Sequence, residues 1–284
     1  MDQVILAQKA QRLLELHHGP EVLVLPNAWD VTSAALFESM GFQAIATSSA
    51  AIAFTHGYAD GEYIPRDLML DAVHRITDKV KLPVTADLEA GYGRDPEKVA
   101  ETIRLAIEAG AVGANIEDST KRDPKDAGHQ LFELSLGVER IRAAREAADS
   151  LGIPFVLNAR VDVIFQLGPS PETIAEAILR GNAYAEAGAR SIFIIRALDA
   201  GTIKLLADGI HAPLNILVGP GTPPIAELKE LKVKRVTFGG GLFRVAYSSA
   251  VRAAKNVLAT GVFDLSEAVV TNQDLNHLFA PPIK

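Results

Sequence analysis

Eight short apolar runs recur along the chain, each followed by a longer amphipathic segment. They are VLVLP (22–26), QAIAT (43–47), LPVTAD (82–87), AVGANIE (111–117), IPFVLNAR (153–160), SIFIIR (191–196), PLNILV (213–218) and KRVTFG (234–239). Continuous apolar runs of this length suit strands buried on both faces, as in a parallel sheet. Between them lie helical patterns such as PEKVAETIRLAIEAG (96–110) and ETIAEAILRGNAYAEAG (172–188). Gly41, Gly110, Gly152 and Gly188 stand just before the next run, where a helix C-terminus must turn through a left-handed conformation. Eight such units in about 250 residues predict an α/β fold, a (β/α)8 TIM barrel. An open doubly wound sheet is the rival. It wants a glycine-rich fingerprint after its first strand, and Pro26-Asn27-Ala28-Trp29 stands there instead. The reading gives one domain over 1–284, with the barrel core at about 21–261. An N-terminal helix (3–17) and a C-terminal helical extension (264–279) are additions, and 241–261 is the last barrel helix.

Charge and cysteine usage narrow the function. Against 28 Lys and Arg stand 35 Asp and Glu, a net charge of −7. An acidic balance without a basic run argues against nucleic acid as partner. No apolar window of about 18 residues offers a membrane span. The early Asp2 marks the N-terminal stretch as an amphipathic helix rather than a signal peptide, so a cytoplasmic location is expected. There is no cysteine, which removes disulfides, thiolate metal sites and any Cys nucleophile or acid.

Barrel chemistry sits at the C-terminal ends of the strands. Read there, the eight runs give Asn27 with Trp29 and Asp30; Thr47, Ser48 and Ser49; Asp87 and Glu89 before Gly91-Tyr92-Gly93; Glu117 and Asp118; Asn158, Arg160 and Asp162; Arg196; Asn215; and Gly239-Gly240-Gly241. Asp87 and Glu89, two apart at a strand end, are expected to point the same way. Carboxylates forced together repel unless a cation or a shared proton relieves them. Glu117, at the next strand end, can reach the same spot. Three hard oxygen ligands without Cys or a nearby His favour Mg²⁺ or Mn²⁺; solvated charges paired with helix N-termini are the alternative. Arg160 can grip a carboxylate or phosphate bidentately, or pair with Asp162 or Glu117. Ser48, Ser49 and Ala50 form a strand-to-helix turn that offers N–H groups to an anion, or else simply pack closely. FGGG (238–241) could hold a phosphate. No strand-end Lys supports a Schiff base.

Together these residues resemble the isocitrate lyase/phosphoenolpyruvate mutase superfamily, from about Leu25 to about Ala246. ADLEAGYG (86–93) is similar to the family's D-x-D-x-G-Y-G metal loop. NIED (115–118) and NARVD (158–162) follow in the expected order, TSSA (47–50) matches the small-residue substrate turn, and ADG (59–61) matches the acidic loop after strand two. The resemblance implies a Mg²⁺-dependent barrel that forms homo-oligomers, dimers or tetramers, with the last helix exchanged between neighbours. It places the metal on Asp87, Glu89 and Glu117, with Asp60 supporting. It places a small 2-oxo or 2-hydroxy carboxylate on Thr47, Ser48, Ser49 and Ala50, beside Asp87, Arg160, Asn158 and Asn215. Arg160 and Glu117 are the implied catalytic pair, with His129 as a candidate acid.

Some positions depart from the pattern. Ala127 stands where the lyases carry their proton-donating Cys in a K-[KR]-C-G-H loop, and Ala46 where they carry a Tyr. Glu89 replaces the second Asp, and Arg196 stands in place of a Glu. The expected activity is cleavage of a C–C bond in a small 2-oxo or 2-hydroxy (di)carboxylate through an enolate, by a lyase or decarboxylase. The alternatives are P–C chemistry of the phosphonopyruvate hydrolase or phosphoenolpyruvate mutase kind, and a non-catalytic 2-oxo acid binding protein. Candidate proton donors are His129, Tyr92 and His56, and loop 119–135 is expected to be a mobile gate.

Overall fold

A computed structural model describes residues 2–120, 130–266 and 268–280. The strands are β1 (Leu23–Leu25), β2 (Asn27–Ala28), β3 (Ile45–Thr47), β4 (Val84–Asp87), β5 (Gly113–Glu117), β6 (Ser119–Thr120), β7 (Gln130–Leu131), β8 (Val156–Val161), β9 (Ser191–Ile194), β10 (Leu214–Leu217) and β11 (Arg235–Thr237). All but β6 and β7 form one sheet in the order β1-β11-β10-β9-β8-β5-β4-β3-β2, with every pairing parallel. β1 and β2 are two stretches of one strand, interrupted at Pro26, which has no N–H to give a ladder. β1 pairs with β11 and β2 with β3, while the Pro26 carbonyl accepts from Ala46 N at 3.0 Å. The sheet therefore closes on itself, and each of the eight apolar runs is a barrel strand. β6 and β7 form a small antiparallel pair above β5.

The helices are α1 (Gln3–His18), α2 (Val31–Ser39), α3 (Ser49–Thr55), α4 (Arg66–Lys79), α5 (Pro96–Glu108), α6 (Leu134–Ser150), α7 (Val163–Leu167), α8 (Pro171–Glu186), α9 (Ala200–Gly209), α10 (Ile225–Glu230), α11 (Gly241–Thr260) and α12 (Asn272–Phe279). Their starts are written locally. Asp30 and Ser33 close a capping box on α2, and Ser170 and Thr173 do so on α8, where Pro171 takes the first turn. Gly110 (φ +92°) and Gly188 (φ +113°) turn the chain from helix into strand, a conformation that costs other residues a clash at Cβ.

Helix α1 buries Leu6, Ala10, Leu13 and His17, one stripe at helical spacing. It packs that stripe at the N-terminal end of the barrel, where a Cβ built on Gly113 would meet Leu13 Cδ2 at 3.1 Å. α11 differs: only Phe243 is buried, and Val245, Tyr247, Val251 and Leu258 stand exposed. Phe243 stacks on Trp29 at 5.5 Å and Tyr247 at 4.3 Å, so Trp29 is a packing residue near the mouth. Among the described residues no helix is long and apolar enough to cross a membrane.

Candidate active site

The strand ends bring Asp87, Glu117 and Arg160 to one mouth. β4 ends at Asp87, whose N–H donates to Thr47 Oγ1 at 2.9 Å. Its Oδ2 accepts from both Ser49 N (3.1 Å) and Ser49 Oγ (2.8 Å), and its Oδ1 from Asn115 Nδ2 (3.3 Å). Of the turn read from the sequence only Ser49 donates here, and the anion it grips is a side chain of the chain itself. Ser48 caps α3 and Ala50 stands half-buried in its first turn.

Glu89 reaches the site by a different route from the one its spacing suggests. The strand stops at Asp87, so the period-two rule does not aim Glu89; the backbone does so by entering the left-handed region there (φ +50°). Glu62 (φ +60°) and Tyr92 (φ +61°) share that conformation, a concentration of backbone strain of the kind found at functional sites. The three are tied together. Glu62 N donates to Glu89 Oε2, and Tyr92 N donates to Glu62 Oε1, both at 2.7 Å. Glu89 is only 2% exposed and its Oε1 has no partner. Burial pushes its pKa up to about 8; the Glu62 N–H opposes this, and the nearby Asp60, Asp87 and Glu62 carboxylates add to it.

Glu117 is turned toward Arg160, whose Nη1 lies 2.5 Å from Glu117 Oε2. Asp162 holds the other edge of the guanidinium, with Nε at 2.6 Å from Oδ1 and Nη2 at 3.1 Å from Oδ2. Burial works against the Arg160 charge, but Asp162 and Glu117 outweigh it and drive the pKa above its ordinary value. Of the two readings of Arg160, the structure shows the salt bridges to Asp162 and Glu117, made at the mouth. Among the described residues no three His, Cys, Asp or Glu side chains are gathered closely enough to hold a metal. The expected set of Asp87, Glu89, Glu117 and Asp60 lines one mouth without converging on a point.

Asp118, read at its strand end without a role, and several groups that strand-end reading missed hold this arrangement. Asp118 Oδ1 accepts from Asp162 N at 2.8 Å, while its Oδ2 accepts from Tyr184 OH (3.0 Å) and Arg180 Nη1 (3.3 Å). Ser119 Oγ donates to Asp162 Oδ2 at 2.6 Å. Burial and the Asp162 charge push the Asp118 carboxyl up to about 6, against the pull of the Asp162 N–H and Arg180. Arg140, buried on α6, donates to the Gly93 and Arg94 carbonyls at 2.6 Å and also to the Ala90 carbonyl. It stacks on Phe132 at 4.3 Å, and so clamps the loop that carries Glu89. Arg180, Tyr184 and Arg140 lie on helices, where a strand-end search does not look.

Other expectations change in detail. Asn158 and Asn215 are completely shielded within the barrel. Asn158 donates to Asn115 Oδ1 at 2.7 Å, and Asn115 in turn holds Asp87. Asn158 thus supports the mouth from below, while Asn215 Oδ1 accepts only from Thr237 Oγ1, at 3.5 Å. FGGG is already spoken for, since Phe238 N and Gly239 N both donate to Asn27 Oδ1, at 2.8 and 2.9 Å. His56 caps α3 with Nδ1 on the Ile52 carbonyl at 2.9 Å. Arg196 is exposed with φ +65° and stacks on Phe165 at 5.0 Å, the ring that Arg160 approaches at 5.7 Å. His129 and most of loop 119–135 lie outside the described residues.

The chain is similar to known proteins over most of its length. The family model described as phosphoenolpyruvate phosphomutase matches residues 13–258. The 2-methylisocitrate lyase of Escherichia coli (strain K12) is 32% identical over 79% of this chain and 76% of its own. A solved structure of the lyase/mutase kind from Burkholderia cenocepacia J2315 is 40% identical, covers 98% of both chains and has a TM-score of 0.90. The structure of 2,3-dimethylmalate lyase, titled a PEP mutase/isocitrate lyase superfamily member, is 28% identical over 95% of this chain and 91% of its own, with a TM-score of 0.80.

Proposed function

The chain belongs to the phosphoenolpyruvate phosphomutase family, within the phosphoenolpyruvate mutase/isocitrate lyase superfamily, and from that premise we propose a magnesium- or manganese-dependent lyase or decarboxylase that cleaves a C–C bond of a small 2-oxo or 2-hydroxy dicarboxylate. It is an enzyme of this superfamily, and the relatives named as 2-methylisocitrate lyase and 2,3-dimethylmalate lyase support C–C cleavage. The observation that carries the reading is Glu89 Oε1, buried without a partner beside other carboxylates. A hard divalent ion relieves such a group, and magnesium keeps several waters and uses only one or two carboxylates directly. Mouth acids that do not converge on one point fit that mode of binding.

Asp87, Glu89 and Glu117 would hold the ion, with Asp60 behind them. When bound, it supplies a Lewis-acid pull on the substrate's keto or hydroxyl oxygen. The chain's own residues do the rest. Arg160, fixed on two sides by Asp162 and Glu117, faces the negative charge that develops as the bond's electron pair moves into the enolate. The turn at Thr47, Ser48, Ser49 and Ala50 takes the substrate carboxylate, displacing Asp87 from the Ser49 donors. The enolate carbon then takes a proton from His129 or from water. We further place the enzyme in the cytoplasm, as a homo-oligomer in which the exposed apolar face of α11 packs on a second copy.

The test is release of 2-oxo acid from a panel of dicarboxylates and phosphonates, with and without magnesium. Turnover of a dicarboxylate that vanishes on chelation supports the reading. Turnover of phosphonates alone replaces it with P–C chemistry, and none with any compound removes it.

A further inference from the structure

At the mouth Arg160 pairs with Glu117 and Asp162, and Arg180 with Asp118, whereas the buried cation at the floor of the barrel has no such counter-charge. Arg235 opens β11, is 0% exposed, and has no partner at Nε, Nη1 or Nη2. Its register partners are Leu23 and Asn215. Paired residues on neighbouring parallel strands point to the same face, so Arg235 and Asn215 share the interior wall. Asn215 is also fully buried, and its Nδ2 has no partner. Beneath them lies His17 of α1, close enough for its ring to feel the Arg235 charge. His17 Nδ1 donates to the Leu13 carbonyl at 2.8 Å, which leaves Nε2 with a lone pair and no partner. Thr85 Oγ1 is unpartnered as well. It lies at the same floor, since a Cβ built on Gly113 would stand 3.0 Å from it and 3.1 Å from Leu13 Cδ2.

A guanidinium stays protonated in a protein and carries five N–H donors. Buried charge without a matching charge is strongly unfavourable. Burial pulls the Arg235 pKa down to about 9, opposed by the field of Asp87. Asp87 is gripped at the mouth by Ser49 and Asn115. His17 cannot serve as counter-charge, because an imidazole is either neutral or a cation. Water would satisfy the donors but leave the charge unmatched; a small anion does both. We propose that the barrel floor between α1 and β11 binds a monatomic anion, a halide, on the Arg235 guanidinium and the Asn215 amide. The ion is sealed beneath α1, away from the mouth. It stabilises the fold and takes no part in turnover, and its exchange requires α1 to lift.

Crystals of the wild-type chain grown in sodium bromide, measured at the bromine absorption edge, test this directly. One anomalous peak per chain within hydrogen-bond reach of the Arg235 guanidinium is expected. An ordered water there without anomalous signal overturns the proposal. In solution, thermal unfolding is compared in sodium chloride and sodium gluconate at equal ionic strength. Chloride should raise the wild-type Tm by about 3 °C and leave that of Arg235→Met unchanged. Equal wild-type Tm values in the two salts also overturn the proposal. Should Arg235→Met fail to fold, the bromide crystal and the wild-type salt comparison still decide.

Discussion

Both ends of this barrel bury ionisable groups, and the two ends treat them in opposite ways. At the mouth, Arg160 is held by Asp162 and Glu117, Asp162 by Ser119 and the strand end, and Asp118 by Tyr184 and Arg180. Those charges are paired, the Glu89 carboxylate beside them keeps one oxygen without a partner, and the surplus is negative. At the floor, Arg235 and His17 lie within electrostatic reach of each other with nitrogens unpartnered, and the surplus is positive. A network that is already satisfied holds side chains in place before a substrate arrives, and that preorganisation is what stabilises developing charge at little cost of rearrangement. An unsatisfied one marks where something other than protein belongs.

The contrast breaks most sharply at Asp87. Asp87→Ala should lower kcat by about 1,000-fold while leaving far-UV circular dichroism unchanged; retained turnover would dissolve the distinction between the two ends. Asp162→Asn loosens one side of Arg160 without touching the proposed metal set. It should cost about 10- to 100-fold in kcat, on the scale of a hydrogen bond to a charged group. An unchanged steady-state rate would show that Arg160 does not need that anchor.

The floor responds in stability rather than rate. Burial, reinforced by Arg235, lowers the His17 pKa from 6.5 to about 3. The unfolded chain therefore takes up a proton below about pH 6.5 that the folded chain refuses. Stability is full above that pH and falls as the pH drops toward 3, by at most about 1.4 kcal/mol per pH unit from this one group. Urea titrations of wild type and His17→Gln between pH 7 and 4.5 should show a shallower decline in the variant; parallel curves would count against a buried neutral His17. The smallest effect is expected for Tyr184→Phe, which removes one hydrogen bond from Asp118 and should cost about 1 kcal/mol in the same titration. A larger loss would mean that the mouth network is more cooperative than its pairwise distances suggest.

The eight strands were legible because both faces of each are apolar, and the helix ends because glycine was needed there. Asp87, Glu117 and Arg160 were legible because barrel chemistry gathers at strand ends. Glu89 was found for an incomplete reason: its side chain is aimed by a left-handed backbone after the strand, which alternation does not encode. In the sequence Pro26 ends an apolar run, yet in the fold it marks where the first strand changes neighbours. Arg140, Arg180 and Tyr184 sit among ordinary helical residues, and their importance comes from carbonyls and carboxylates distant in sequence. His17 and Arg235 escaped notice for the same reason. Nothing local says that a helix near residue 17 and a strand at residue 235 meet inside one barrel.

The central claim is that the mouth carboxylates hold a hard divalent ion. Manganese titrated into the metal-free chain, followed by electron paramagnetic resonance of the free ion, tests this without recourse to activity. The account predicts one ion bound per chain, displaced by excess magnesium and lost in Asp87→Ala. Binding that is absent, or that persists unchanged in the variant, would contradict it.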